Sequence, residues 1–239
     1  MALIMGIVNV TPDSFLPGSR CLPRDAAARV MELFRAGADL VDIGAVSTRP
    51  GAARVSEEEE WRRLEPVLDT LEDGDRISID TVRSSIVRKV FERLGRFTVN
   101  DISAGEADPD MLRTAGELGL GYIAMHSRGT PETMDSLCDY PRGVTAEVLD
   151  YFDRFSLKAE KAGLKEWILD PGFGFAKTEE QNLELLENLR EFKRFGKPVL
   201  VGIADKRFTR GRTEEYHRKA LGNGADILRV HDVNVFTGR

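Results

Sequence analysis

Eight short apolar runs alternate with longer amphipathic stretches along the chain, and this alternation restricts the fold more than any other feature of the sequence. The runs fall at 3–8, 40–43, 76–79, 97–99, 121–125, 167–169, 198–201 and 227–230. Each is almost continuously apolar, as strands covered on both faces of a parallel sheet should be. Helical periodicity fills the intervals, roughly at 23–36, 57–71, 83–94, 108–117, 143–163, 179–194 and 209–222. Parallel strands need a crossover between them, and these helices supply it. The 239 residues are close to the about 250 that eight βα units commonly use, and no linker or low-complexity stretch interrupts them. One domain over residues 1–239 is expected.

An open doubly wound sheet and a closed (β/α)8 barrel both satisfy that alternation. Polar residues decide between them. They stand at or just after nearly every run: Asn9, Asp42, Asp80, Asn100 with Asp101, His126 with Arg128, Asp170, Lys206, and Arg229 with His231. An open sheet gathers its site at one switch point, whereas a barrel brings every strand end to one rim. The expected fold is therefore an α/β TIM barrel. Only eight residues follow His231, so the last helix is expected to be absent or truncated. Locally, Ser56 and Glu59 have the spacing of a capping box. Pro23 suits a first helical turn. Gly-Ala-Asp recurs at 37–39 and 224–226, each time between a helix and a strand.

The formal charge of −6 disfavours a polyanion binder, so no nucleic-acid partner is expected. No apolar run of about 18 residues exists, and no membrane partner is expected either. The two cysteines, Cys21 and Cys138, show no paired or metal-like spacing, and the first residues lack the basic flank of a signal peptide. A cytoplasmic location is the expectation.

Asp80 and Asp170 each close an apolar run, with Asn100 on the strand between. Partly shielded carboxylates need cations or paired donors, and an aromatic heterocycle with a guanidine-like edge offers such a pair. Arg49, Lys206, Arg229 and His231 form a cationic set; the last two alternate on one strand and so face the same side. That set suits an anion. Asn9 is placed to give a neutral oxygen to a Mg²⁺ accompanying a diphosphate. Phe173 and Phe175 sit in a glycine-rich loop that allows close backbone approach. No segment matches the P-loop or dinucleotide fingerprints. His217 reads as part of a surface helix.

Ordered blocks across the chain resemble dihydropteroate synthase. They are Met5-Gly-Ile-Val-Asn-Val-Thr-Pro-Asp-Ser-Phe15, Ala38-Asp-Leu-Val-Asp-Ile-Gly44 with Ser47-Thr-Arg-Pro-Gly51, Ser78-Ile-Asp-Thr81 and Asn100-Asp-Ile-Ser103. Met125-His-Ser-Arg-Gly-Thr-Pro131, Asp170-Pro-Gly-Phe-Gly-Phe175 with Lys177-Thr178, and Arg229-Val-His-Asp-Val233 complete the series. The resemblance implies a transferase of folate biosynthesis, joining 6-hydroxymethyl-7,8-dihydropterin pyrophosphate to p-aminobenzoate with Mg²⁺. It implies that Asp80, Asn100, Asp170 and Lys206 hold the pterin, with Asp101 and Met125 also substrate-binding. Asn9, Arg49, Arg229 and His231 then hold the diphosphate and its Mg²⁺, while Thr48, Pro50 and Phe175 line the p-aminobenzoate side. Asp80, Asp170, Lys206, Arg229 and His231 carry the catalysis.

The chain departs from the family pattern mainly on the acceptor side. Gly202-Ile-Ala-Asp-Lys-Arg-Phe208 stands where the family has Gly-x-Ser-Arg-Lys-Ser-Phe, so Arg207 replaces a serine that helps hold the benzoate carboxylate. Arg207 is expected either to bind that carboxylate itself or to close the pocket. Pro17 and Ala45-Val46 are further substitutions. An alternative reading follows: a pterin-binding paralogue without synthase activity, or with another acceptor. A related corrinoid-linked methyltransferase is a weaker third, because the first and last blocks belong to the synthases. The resemblance also implies a homodimer, an expectation weakened by the altered C-terminal elements.

Overall fold

The computed structural model describes residues 2–10, 23–47, 55–72, 74–130, 132–204 and 206–237. Among them eight strands alternate with helices: β1 (Leu3–Asn9), α1 (Pro23–Arg35), β2 (Leu40–Gly44), α2 (Glu57–Leu68), β3 (Ile77–Asp80), α3 (Ser84–Leu94), β4 (Thr98–Asp101) and α4 (Met111–Glu117). Then follow β5 (Gly121–Met125), α5 (Val144–Lys161), β6 (Trp167–Asp170), α6 (Glu179–Glu187), β7 (Leu200–Val201), α7 (Thr213–Gly222), β8 (Ile227–Val230) and α8 (Asn234–Thr237).

All pairings are parallel, in the order β6-β5-β4-β3-β2-β1-β8-β7. The ends meet through a bridge between Leu169 and Val199, where the Leu169 amide donates to Pro198 O at 2.9 Å. The barrel is thereby closed, as the sequence led one to expect.

Alternation along each strand sorts side chains into lumen and outer face. Inward-facing Met5, Ile123, Leu200 and Ile227 make an apolar cluster of their own inside the barrel. Two residues further along the same strands come Ile7, Met125, Gly202 and Arg229, all in the wall of the cavity at the mouth. The outer faces pack against the helices in one large core that includes Val8, Ile43, Ile79, Val99, Leu169 and Val230. Within the lumen, the charged side chains therefore lie at the mouth, above an apolar floor.

Local structure departs from the sequence expectations in several places. Ser56 does accept the Glu59 amide at 3.2 Å, but the Glu59 carboxylate turns away to Arg62 and Arg63, so only half of the expected box forms. The complete box is at α6, where Thr178 and Gln181 cap each other. The helical stretch 179–194 breaks at Asn188 into α6 and a 3₁₀ segment, Leu189–Phe195. Residues 209–222 start late, because Arg210 and Gly211 adopt left-handed conformations before α7. His217 is not on a surface. It is 1% exposed on the inner face of α7, its ring edge-on to Phe236 at 5.3 Å, and burial pushes its pKa down to about 4. The last helix is a single turn, α8. No helix among the described residues is long and apolar enough to cross a membrane.

Candidate active site

The carboxyl ends of the strands surround a cavity of about 540 Å³, within the range of small-molecule sites. Its wall contains Asn9 from β1, Asp80 from β3, Asn100 from β4, Met125 from β5, Asp170 from β6, Lys206 after β7, Arg229 from β8, and His231, which follows the end of that strand rather than lying on it. These predicted residues do converge. Phe175 and Arg207 stand in the same wall. Thr48, Arg49 and Pro50 lie outside the described residues.

Arg229 is the electrostatic centre of the mouth. Its Nε and Nη2 donate to Asp42 Oδ2 at 2.7 and 2.6 Å, and Nη2 lies 3.5 Å from Asp80 Oδ2. Asn100 Nδ2 donates to the same Asp42 oxygen at 3.0 Å. Asp42 is fully buried, so the guanidinium compensates a charge that water cannot reach. Burial, and then the nearby Asp42 carboxylate, push the Asp80 pKa upward, while Arg229 opposes them. The strand end after Asp80 is held from outside: Thr81 Oγ1 donates to Glu60 Oε1 at 2.6 Å, and Arg83 pairs with the same carboxylate.

Asp170 sits across the mouth on β6. Burial raises its pKa to about 6, against the Gly172 amide, which donates to Oδ1 at 2.8 Å, and against Arg229, Lys206 and Lys177. Gly172 has φ of 72°, and a Cβ there would lie 1.9 Å from the His126 carbonyl oxygen. Gly172→Ala combines left-handed strain with a backbone clash, so a loss on the order of 2–4 kcal/mol is expected. In thermal unfolding this is a drop of roughly 5–15 °C. A variant that melts with the wild type would contradict the loop geometry.

Lys206 Nζ lies over the Phe175 ring, 4.2 Å from its centroid, a cation–π contact that leaves one wall of the cavity flat and aromatic. Phe173 instead turns into the core and stacks on Phe208 at 6.1 Å. Arg207 is 90% exposed and loosely paired with Asp135 at 3.5 Å, both at the cavity rim. Asp101 is not brought into the cavity wall. Its carboxylate is consumed by the Ser103 and Gly105 amides, the Ser103 hydroxyl, and the Tyr122 hydroxyl at 2.6 Å, so it shapes the loop after β4.

Sequence reasoning passed over two residues. Asp42 was visible as a polar strand end, but its partnership with Arg229 spans 187 positions. Lys177, quoted only within a motif, proves to be a nearly buried cation in the same cavity wall as Asp170. A lysine next to a glycine-rich loop was the one available signal.

Known proteins resemble this chain over nearly its whole length. Residues 5–231 match the family model described as pterin binding enzyme. A dihydropteroate synthase from Synechocystis sp. is 40% identical over 248 residues, 96% of this chain and 85% of the relative. The Yersinia pestis dihydropteroate synthase, solved in a sulfonamide drug complex, superimposes with a TM-score of 0.90 at 34% identity, covering 99% of this chain and 91% of that one. The Xanthomonas albilineans enzyme in complex with 7,8-dihydropteroate gives a TM-score of 0.82 at 32% identity, covering 99% and 90%.

Proposed function

The chain belongs to the pterin-binding enzyme family, among the dihydropteroate synthases, and from that membership we propose how its barrel mouth works. It is a transferase of folate biosynthesis, condensing 6-hydroxymethyl-7,8-dihydropterin pyrophosphate with p-aminobenzoate to give 7,8-dihydropteroate and pyrophosphate. The observation that carries the assignment of roles is the convergence of carboxylates and cations from separate strands on one cavity.

In this reading Asp170 accepts paired N–H donors from the pterin, with Asn100 beside it and Lys206 above the ring plane. Arg229, already bridging Asp42 and Asp80, presents its remaining N–H donors to the diphosphate, and His231 adds to the same end. Asn9 fits a Mg²⁺ that arrives with the diphosphate: it offers one hard, neutral oxygen, and Mg²⁺ usually takes few protein ligands beside phosphate and water. Held there, such an ion would supply charge neutralisation for the leaving pyrophosphate.

The chemistry is then group transfer by positioning. As the bond from the pterin methylene to the pyrophosphate oxygen lengthens, positive charge grows on the methylene and negative charge on the departing group. Ionised Asp170 and Asp80 stabilise the first, and Arg229 and His231 the second. The weakly basic arylamine attacks the methylene and afterwards loses its proton to solvent, so no strong general base is required. Phe175 supplies an apolar wall for the acceptor ring. A cytoplasmic location belongs to this proposal, and the free thiol of Cys138 suits it.

One observation favours a second reading. Ala204 and Arg207, both in the cavity wall, stand where the family places serine, which points to an acceptor selected differently from the family's while the pterin is kept. Incubation with the pterin pyrophosphate and p-aminobenzoate separates the two. Formation of dihydropteroate with equimolar pyrophosphate is the expected result; pterin binding without product turns the assignment to a paralogue with another acceptor.

A further inference from the structure

The proposed chemistry leaves Lys177 without a role, yet its ammonium group stands in the cavity wall with three contacts. The side chain is 8% exposed, and Nζ has three partners: Gly172 O, Phe175 O and His126 Nδ1, each at 2.9 Å. Carbonyl oxygens only accept, so two of the lysine hydrogens are committed to them. The third contact joins two basic nitrogens, which at that separation share one proton. The arrangement closes with a lysine ammonium donating three times and a neutral His126 whose Nδ1 is bare and whose Nε2 carries the hydrogen. Burial, and then the Lys177 charge, hold His126 well below its ordinary range in keeping with this.

Gly172 links this node to the site. Its amide donates to Asp170 Oδ1 at 2.8 Å, and its carbonyl accepts from Lys177. The backbone joins at the same place, since the His126 amide donates to Asp170 O at 2.9 Å. Left-handed Gly172, with no room for a Cβ, lets the loop fold tightly enough for both contacts. We propose that Lys177 is a positioning residue for Asp170: its buried ammonium ties the loop 170–177 to the end of β5 and favours the ionised carboxylate that receives the pterin.

The surroundings are consistent with that role. Three cations face Asp170: Arg229 from β8, Lys206 from the loop after β7, and Lys177 from its own loop. Arg229 is already committed to Asp42, and Lys206 covers Phe175. Around Lys177 stand Asp170, Arg128, Lys206, the Cys138 thiol and His126. Arg128 opposes the lysine charge, but it is paired with Glu147 at 2.6 Å. Burial works against the ammonium and brings Lys177 down to about 7, so the carboxylate and the lysine sustain each other's charge.

The inference rests on the pterin-binding reading, and calorimetric titration with the pterin pyrophosphate from pH 5 to 8.5 tests the two separately. In the wild type, affinity falls on the acid side as Asp170 takes up a proton. Lys177→Gln keeps a donor but removes the charge, and the acid limb is expected to move up by about one pH unit. That makes binding about fivefold weaker at pH 6 and nearly unchanged at pH 8.5. Lys177→Arg restores charge, and its limb stays near that of the wild type. Uniform weakening of Lys177→Gln with an unmoved limb would reduce the lysine to a structural prop and overturn the proposal. A wild type that binds no pterin at any pH overturns the function reading instead. Imidazole ¹⁵N NMR of the unmodified protein needs no variant: His126 should remain the neutral Nε2–H form from about pH 5 to 6.5, where Lys177 keeps its charge. A protonated ring, or hydrogen on Nδ1, would overturn the proposal even if neither variant folds.

Discussion

Exchanging Arg229 for methionine is expected to lower unfolding free energy by about 3–5 kcal/mol, the usual effect of leaving a buried charge without its partner. Methionine fills much of the volume, so the loss is electrostatic. Asp42 is fully buried and, among the described residues, would keep the Asn100 amide on Oδ2 while Asp80 faced it without the guanidinium between them. Thermal unfolding should fall by roughly 10 °C. The dependence on pH has a definite sign. The Asp80 pKa is already raised, so its proton-bound form favours the folded state, and that contribution is lost as pH rises through its folded value. Removing Arg229 raises that value further, and the deficit should be largest at alkaline pH and shrink on acidification. Asp42→Asn in the same background should recover a large part of the lost stability. An Arg229→Met protein that melts within a degree of the wild type would show that the guanidinium does not carry this cluster. Turnover should fall by about a hundredfold or more, since a preorganised cation at the leaving group is removed.

Asp170→Asn should act in opposite directions on binding and stability. Two N–H donors on the pterin edge meet a carboxylate well, but an amide turns one of its own donors toward them. Loss of a charge-assisted pair together with that mismatch predicts affinity weaker by about a thousandfold. The empty protein, by contrast, should become more stable. Asp170 titrates at about 6 instead of 3.8, so its stabilising contribution is present below the ordinary carboxylate range and is lost as pH rises through about 6. Ionising it at pH 7.5 costs the fold up to roughly 3 kcal/mol, a term the amide does not carry. The Gly172 amide can still donate to the side-chain oxygen of the introduced asparagine. Melting a few degrees above the wild type at pH 7.5, with the gap closing near pH 5, is the expected pattern. A variant less stable at every pH would mean that the carboxylate is held by donors stronger than those in this structure. Retained pterin affinity would mean the ligand's polar edge lies elsewhere.

The alternation of apolar runs and helical stretches settled the fold class, because backbone period and solvent exclusion are local properties of a segment. The same local logic put Asn9, Asp80, Asn100, Asp170 and Arg229 at strand ends, and a barrel gives strand ends one place to go. What no segment contains is the identity of partners across the lumen. Asp42 meets Arg229 only because β1 pairs with both β2 and β8, and Lys177 meets His126 only because β5 and β6 lie side by side. Local competition misled in smaller ways: Glu59 found two arginines on its own helix nearer than the Ser56 amide, and the face of α7 that carries His217 was settled by the α8 turn against it. Asp101 was legible as a carboxylate at a strand end, but its neighbours' amides claimed it for the loop. Period and polarity are written residue by residue, whereas which charge compensates which depends on strand register and closure. Those depend on the whole chain packing at once.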